Sequence, residues 1–225
     1  VLDGFTITGG KTHGLGSTIQ SNGAGIANTA GTPIFRNLWV KDNVAFALGA
    51  GIYNTSGATF FNLIVENNSI TGNTSSARYG AGIYNSGAGA VFSNLVVKNN
   101  KTGVSGAGGG MYSTAANVSL SNAVFTANTS GTDGGGGFYQ STVGAGTVLN
   151  NVSVEENSTT GNGGGMYIGS IITLNDVTVK GNQATLSGGG IFNSSASIFN
   201  RLHVLQNTSV QNGGGFCHST DLAQK

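Results

Sequence analysis

Eight times in 225 residues the chain writes Gly-Gly/Ala-Gly followed by an apolar side chain, and between these copies a second signature recurs. The first stands at Gly23 to Ile26, Gly49 to Ile52, Gly80 to Ile83 and Gly108 to Met111, and again at Gly135 to Phe138, Gly163 to Met166, Gly188 to Ile191 and Gly213 to Phe216. The second is apolar-x-apolar-x-x-Asn, as in Leu38-Trp39-Val40-Lys41-Asp42-Asn43, and its final Asn returns at Asn68, Asn100, Asn128, Asn157, Asn182 and Asn207. The position preceding this segment runs Asn37, Asn62, Asn94, Asn122, Asn151, Asp176, Arg201, in steps of 25, 32, 28, 29, 25 and 25 residues. A period near 25 is too short for paired-helix repeats, which begin near ~33 residues. Clustered glycines in every repeat would also break helices.

Strands satisfy both constraints. Leu38 and Val40 alternate with Trp39 and Lys41, the period of two expected when one face of a strand is buried. A third strand is expected just before each such segment, at Phe35, Phe60, Phe92, Leu120, Leu149, Leu174 and Phe199. Three short strands per repeat make one coil of a prism, so the chain is predicted to be all-β: a single-stranded right-handed parallel β-helix of about eight coils spanning residues 1–225 as one unit. At the interstrand spacing of ~4.8 Å, eight coils stack into a rod about 38 Å long.

Stacking turns equivalent residues into columns. One inner column is predicted at Ile26, Ile52, Ile83, Met111, Phe138, Met166, Ile191 and Phe216, and another at Val40, Val65, Val97, Phe125, Val154, Val179 and Val204. The Asn column from Asn43 to Asn207 is placed at a bend, where amides bond their own backbone and one another. Lys41, Glu66, Lys98, Thr126, Glu155 and Lys180 share an outward position, so opposite charges are expected to pair across several coil steps and resist register slippage. The longer repeats place protruding loops around Thr71 to Tyr79 and Gly144 to Gly146.

Composition bears on the alternatives. Charged residues make up 8% of the chain against the usual ~25%, and Gly, Ser, Thr and Asn are also the residues of flexible linkers. Disorder nevertheless fails, because 38% of the residues are hydrophobic and fall at regular intervals. The formal charge of +1 carries no basic stripe, which excludes nucleic acid as a partner class. No apolar run approaches the ~20 residues of a spanning helix, so no transmembrane segment is expected. Val1 to Phe5 lacks the basic and apolar regions of a signal peptide, and the chain is read as a piece of a longer protein. Cys217 stands alone and can form no intrachain disulfide.

The alternation of Gly188-Gly189-Gly190-Ile191 with Phe125-Thr126-Ala127-Asn128, or with Val97-Lys98-Asn99-Asn100, resembles the repeats of chlamydial polymorphic outer-membrane proteins and similar bacterial surface proteins. The resemblance covers nearly the whole chain. It implies a β-helical passenger or adhesin region, extracellular or on a bacterial cell surface, that meets a glycan or a host-cell protein. The membrane-embedded barrel of that family has no counterpart in this stretch.

Carbohydrate-active enzymes also use parallel β-helices, and their chemistry needs clustered carboxylates. Here the eight acids are scattered: Glu155 and Glu156 are adjacent on a strand, and Asp133 and Asp176 hold different repeat positions. His13, His203 and His218 show no metal-ligand spacing, so neither a metal nor a cofactor is expected. Thr8-Gly9-Gly10-Lys11-Thr12 looks like a phosphate loop but lacks its leading Gly and its helix. Asn-x-Ser/Thr sequons at Asn54, Asn73, Asn117, Asn128, Asn157, Asn193 and Asn207 arise from an Asn-rich and Ser/Thr-rich repeat. One column stands out. Tyr53, Tyr84, Tyr112, Tyr139 and Tyr167, continued by Phe192, directly follow the inward apolar residue and should face outward. They form either an accessible aromatic strip for sugar rings or a partner, or a ladder that stacks on itself. The outward positions of Trp39, Ile64, Val96 and Val124 are apolar as well. The leading expectation is a non-enzymatic surface adhesin or stalk; the alternatives are a fragment of a polysaccharide lyase, epimerase or hydrolase, and a fibre subunit that self-associates through uncapped coil ends.

Overall fold

Every long strand of the chain bends at one residue with left-handed backbone geometry, and that residue explains how the core is built. In the computed structural model, which describes residues 1–14, 21–72 and 78–219, the strand Ile34–Lys41 has Asn37 at φ 54°. Phe35, Leu38 and Val40 all point inward and are buried. Plain alternation would turn Leu38 outward; one left-handed residue shifts the parity and returns it to the core. Asn tolerates this geometry better than other side chains. It fills the position in five coils, while Asp176 and Arg201 hold it in the last two.

Seven such strands, from Ile34–Lys41 through Thr59–Glu66 to Ile198–Leu205, pair in parallel as one sheet, with Leu2–Asp3 and Thr6–Thr8 at its edge. A second parallel sheet stacks eight three-residue strands, from Ile26–Asn28 to Phe216–His218. The fold is therefore an all-β parallel solenoid of about eight coils, as the repeat predicts. Both inner columns form in register, Ile52 against Ile83 and Val65 against Val97, for example. Phe35, Phe60 and Phe92 stack with ring centroids 5.0 and 4.7 Å apart. In the last described coil Phe216, equivalent to the fully buried Ile191, is 39% exposed.

The third side of the prism differs from expectation. Phe35 and Leu38 belong to one bent strand, not two. The third sheet instead follows the Asn column: Val44–Ala45 pairs with Ser69–Ile70, Lys101 bridges Ser69 to Thr129, and Thr129–Ser130, Ser158–Thr159, Gln183–Ala184 and Thr208–Ser209 complete it. Two-residue polar strands leave no alternation to detect.

The Asn column sits inside the coil. Asn43, Asn68, Asn100, Asn128 and Asn182 are fully buried, and each Nδ2 donates to the Oδ1 of the next coil's Asn at 2.9–3.0 Å. Nδ2 also donates to a backbone carbonyl of the preceding coil, Asn43 to Ile7, Asn68 to Val40 and Asn128 to Val97. The Oδ1 accepts in addition the preceding Asn's backbone N–H. Each interior amide thus fills its two donor and two acceptor sites, which makes a buried polar column compatible with an apolar core. Because the second amide bond goes to the coil below, the ladder ties three successive coils together. Outside, Asn62 and Asn37, and Asn151 and Asn122, form a second, exposed ladder at the strand bends.

The outward charge row is sparser than a continuous ladder. Lys98 meets Glu66 at 2.8 Å, but Lys41 lies over the Trp39 ring and Glu155 accepts a bond from Ser153. Two further pairs, Asp3 with Arg36 and Asp176 with Arg201, sit at the strand bends. Of the expected loops, the segment around Val143 projects and is strongly exposed, whereas residues 73–77 lie outside the described residues. Among the described residues no helix is long and apolar enough to cross a membrane.

Candidate functional site

The tyrosine column forms on the outer face of the three-residue strands. Tyr53, Tyr84, Tyr112, Tyr139 and Tyr167 pair coil to coil in strict register. Their rings lie nearly parallel, with centroids 5.3, 5.7, 4.8 and 4.4 Å apart, and Phe192 stacks on Tyr167 at 5.2 Å. At this separation each ring face is covered by the next ring, so edges and hydroxyls are what the column offers outward. The rings thus form the ladder that stacks on itself, with the faces of its interior members covered by their neighbours.

Tyr79 was invisible to the repeat because it lies in the inserted segment, yet it stacks on Tyr112 at 4.4 Å. On top of burial, the Asp133 carboxylate lies close enough to raise the Tyr79 hydroxyl further, and the Arg78 guanidinium contributes opposite charge to that carboxylate. Arg78 is itself buried and donates from Nη1 to the Gly72 carbonyl at 3.0 Å. Burial pushes the Asp133 carboxyl up, against the lowering influence of Tyr79 and Arg78. Burial likewise raises Tyr79, Tyr84 and Tyr139, and pushes Tyr112 up to about 12.

These tyrosines tie stability to alkaline pH. A tyrosine in the unfolded chain ionises near 10, so between about pH 10 and 12 the folded chain holds the Tyr112 proton that the unfolded chain has lost. The tyrosine contribution to stability is therefore fully present below about pH 10 and falls as the pH rises through this window. Absorbance titration is expected to show tyrosinate forming together with loss of the β-sheet circular dichroism signal. Free titration near pH 10 with the fold intact would contradict the packing of the column.

Where the ring column ends, the surface opens. Cys217 takes the ring position in the coil after Phe192, and its small side chain leaves a cleft of about 540 Å³. Tyr167, Phe192 and Cys217 lie along it; Asn162, Gln211 and Asn212, just before the glycine corners, line it together with Ser194 and Ser219, just after the strands. Among the described residues no charged side chain lines this cleft. A second, shallower hollow beside Phe5 and Trp39 belongs to the apolar outer row, in which Trp39 and Ile64 are each 40% exposed.

The other candidate residues disperse. Among the described residues no group of three or more His, Cys, Asp or Glu could hold a metal ion. Asp3, Asp176 and Glu66 each pair with a nearby Arg or Lys; the Arg201 and Lys98 partners hold Asp176 and Glu66 below their ordinary range, while for Asp3 the Asn37 amide lowers the carboxyl most and Arg36 adds to it. The sequon asparagines Asn54, Asn128 and Asn157 spend their Nδ2 groups inside buried ladders, which leaves no room for a glycan; Asn73 lies outside the described residues. Fold and surface together define a parallel β-solenoid with an external aromatic column and a cleft where that column ends. No family model, curated protein or solved structure matches the chain.

Proposed function

We propose that this chain is a rigid element of a secreted or cell-surface β-helical adhesin or stalk, acting without catalysis on a glycan or a cell-surface protein. The observation that carries this reading is the coil-to-coil bonding: amide ladders within and outside the core and a ring column along the surface hold every coil to the next. Such a rod transmits force along its axis and presents repeated side chains to a partner. The repeat signatures support it through their resemblance to bacterial surface proteins. Dispersal of Asp3, Glu66 and Asp176 into separate ion pairs supports the non-enzymatic part.

A carbohydrate-active enzyme is the second reading, and Asp133 beside Tyr79 and Arg78 favours it as a partly buried carboxyl that burial pushes up. Two assays separate the readings. Beads coated with the full chain are expected to adhere to animal-cell monolayers well above albumin-coated beads, and the soluble chain to leave polyuronate and neutral polysaccharides at their original chain length. Depolymerisation abolished by Asp133→Asn would replace the adhesin with the enzyme; adhesion at the albumin level would remove the adhesin.

A further inference from the structure

The end of the ring column is built to receive another ring. Phe192 has Tyr167 on one face at 5.2 Å, while the residue beyond its other face is Cys217, too small to cover it. The cleft continues past this point because its sides do not shrink: Gln211 and Asn212 stand exposed before the corner, and Ser219 follows the strand. Its volume of about 540 Å³ lies within the ~300–1,000 Å³ of ordinary ligand sites, which combine apolar area with a few convergent polar groups.

The lining selects a ligand chemistry. Side-chain amides both donate and accept, and serine hydroxyls do the same, so the cleft matches a ligand dense in hydroxyl groups. With no charged side chain among the described residues on its walls, a carboxylate or sulfate would find no counter-charge there and would lose its hydration uncompensated. A pyranose has an apolar C–H face for an aromatic ring and equatorial hydroxyls for the amides. We propose that the cleft binds a neutral glycan, with one pyranose lying against Phe192 as the next member of the ring column and Gln211 and Asn212 bonding its hydroxyls. This site rests on the surface-adhesin reading and names the ligand class for it.

The test uses the full chain on an array of neutral and acidic glycans, beside two variants. Cys217→Tyr extends the ring column into the cleft, as Tyr does at the same position in five earlier coils, and should leave the melting temperature unchanged or higher. The double variant Gln211→Ala/Asn212→Ala removes exposed side chains only and carries the test if Cys217→Tyr fails to fold. Retention of neutral pyranosides is expected, weakened about tenfold or more in each folded variant, the loss of roughly one well-made polar contact or more. Retention of acidic glycans alone, no retention, or equal retention by the folded variants would overturn the proposal. Bead adhesion to cells that persists without glycan retention would overturn this site and leave the adhesin reading standing; loss of both would remove the two together.

Discussion

Replacing Asn128 by alanine is expected to lower the free energy of unfolding by about 3–5 kcal/mol, a large share of the ~5–15 kcal/mol that holds an ordinary domain together. Asn128 sits in the middle of the buried ladder. Its Oδ1 accepts both the backbone N–H and the side-chain amide of Asn100, at 3.0 and 2.9 Å. Its Nδ2 reaches down to the Val97 carbonyl and up to Asn157. Alanine strands the Asn100 N–H and weakens three further bonds in a place water cannot enter, and each stranded buried group costs ~1–3 kcal/mol. Asn128→Asp should be no better, since a carboxylate can donate to neither Val97 nor Asn157. Urea denaturation followed by circular dichroism measures the loss. Because neighbouring coils are the units of cooperation, the transition is also expected to broaden as the halves on either side uncouple. A cost below about 1 kcal/mol would show that the ladder is not what closes the core.

Gly110→Ala is expected to be equally severe, for a steric reason. A Cβ on Gly110 would lie 2.5 Å from the Gly137 carbonyl oxygen and 3.0 Å from Asn128 Nδ2. The first is backbone of the adjoining coil, and the second is locked into the ladder. Relief requires spreading two coils whose spacing is set by many hydrogen bonds, so the cost is about 3 kcal/mol or more, at the upper end of overpacking effects. The matched control is Gly181→Asn. Gly181 has φ +66° and no atom closer than 3.8 Å to its Cβ position, and the equivalent residues Asn67 and Asn99 adopt the same geometry. That exchange should stay within about 0.5 kcal/mol. Thermal melting of both variants checks the contrast; Gly110→Ala melting with the parent chain would mean that the coils stack less tightly than the geometry requires.

The two variants concern one contact. Gly110 belongs to the Gly-rich signature and Asn128 to the apolar-x-apolar-x-x-Asn signature, and they meet across the coil interior. Gly51 against Asn68 and Gly82 against Asn100 repeat the arrangement. The periodicity alone could not reveal it, because the partners lie on different sides of the prism and in adjacent coils. Each glycine of this row is small so that the Asn amide can lie flat against the backbone above it.

The inner columns and the outward tyrosines were legible from residue order, since a period of two within strands and about 25 between them assigns each side chain a face and a height. The bend within the long strand was harder to see. Phe35, Leu38 and Val40 all point inward at spacings of three and two, which only a left-handed residue between them permits, and Asn37 is a residue type suited to it. The third sheet leaves no sequence signal, because strands such as Ser158–Thr159 are too short and too polar to carry a pattern.

What the linear order of residues determined is the coil: its repeat, its inward and outward faces, and the columns that follow when like residues stack. What only the tertiary structure decided is the surface that can meet a partner. The ring column closes on itself because the ~4.8 Å coil spacing falls within the ~4.5–7 Å centroid separation at which offset aromatic rings attract. Tyr79 joins Tyr112 across an insertion, and a cleft opens beside Phe192 because Cys217 is small while the residues around it are not. These outcomes depend on distances between atoms in different coils, and such distances exist only after the chain has wound.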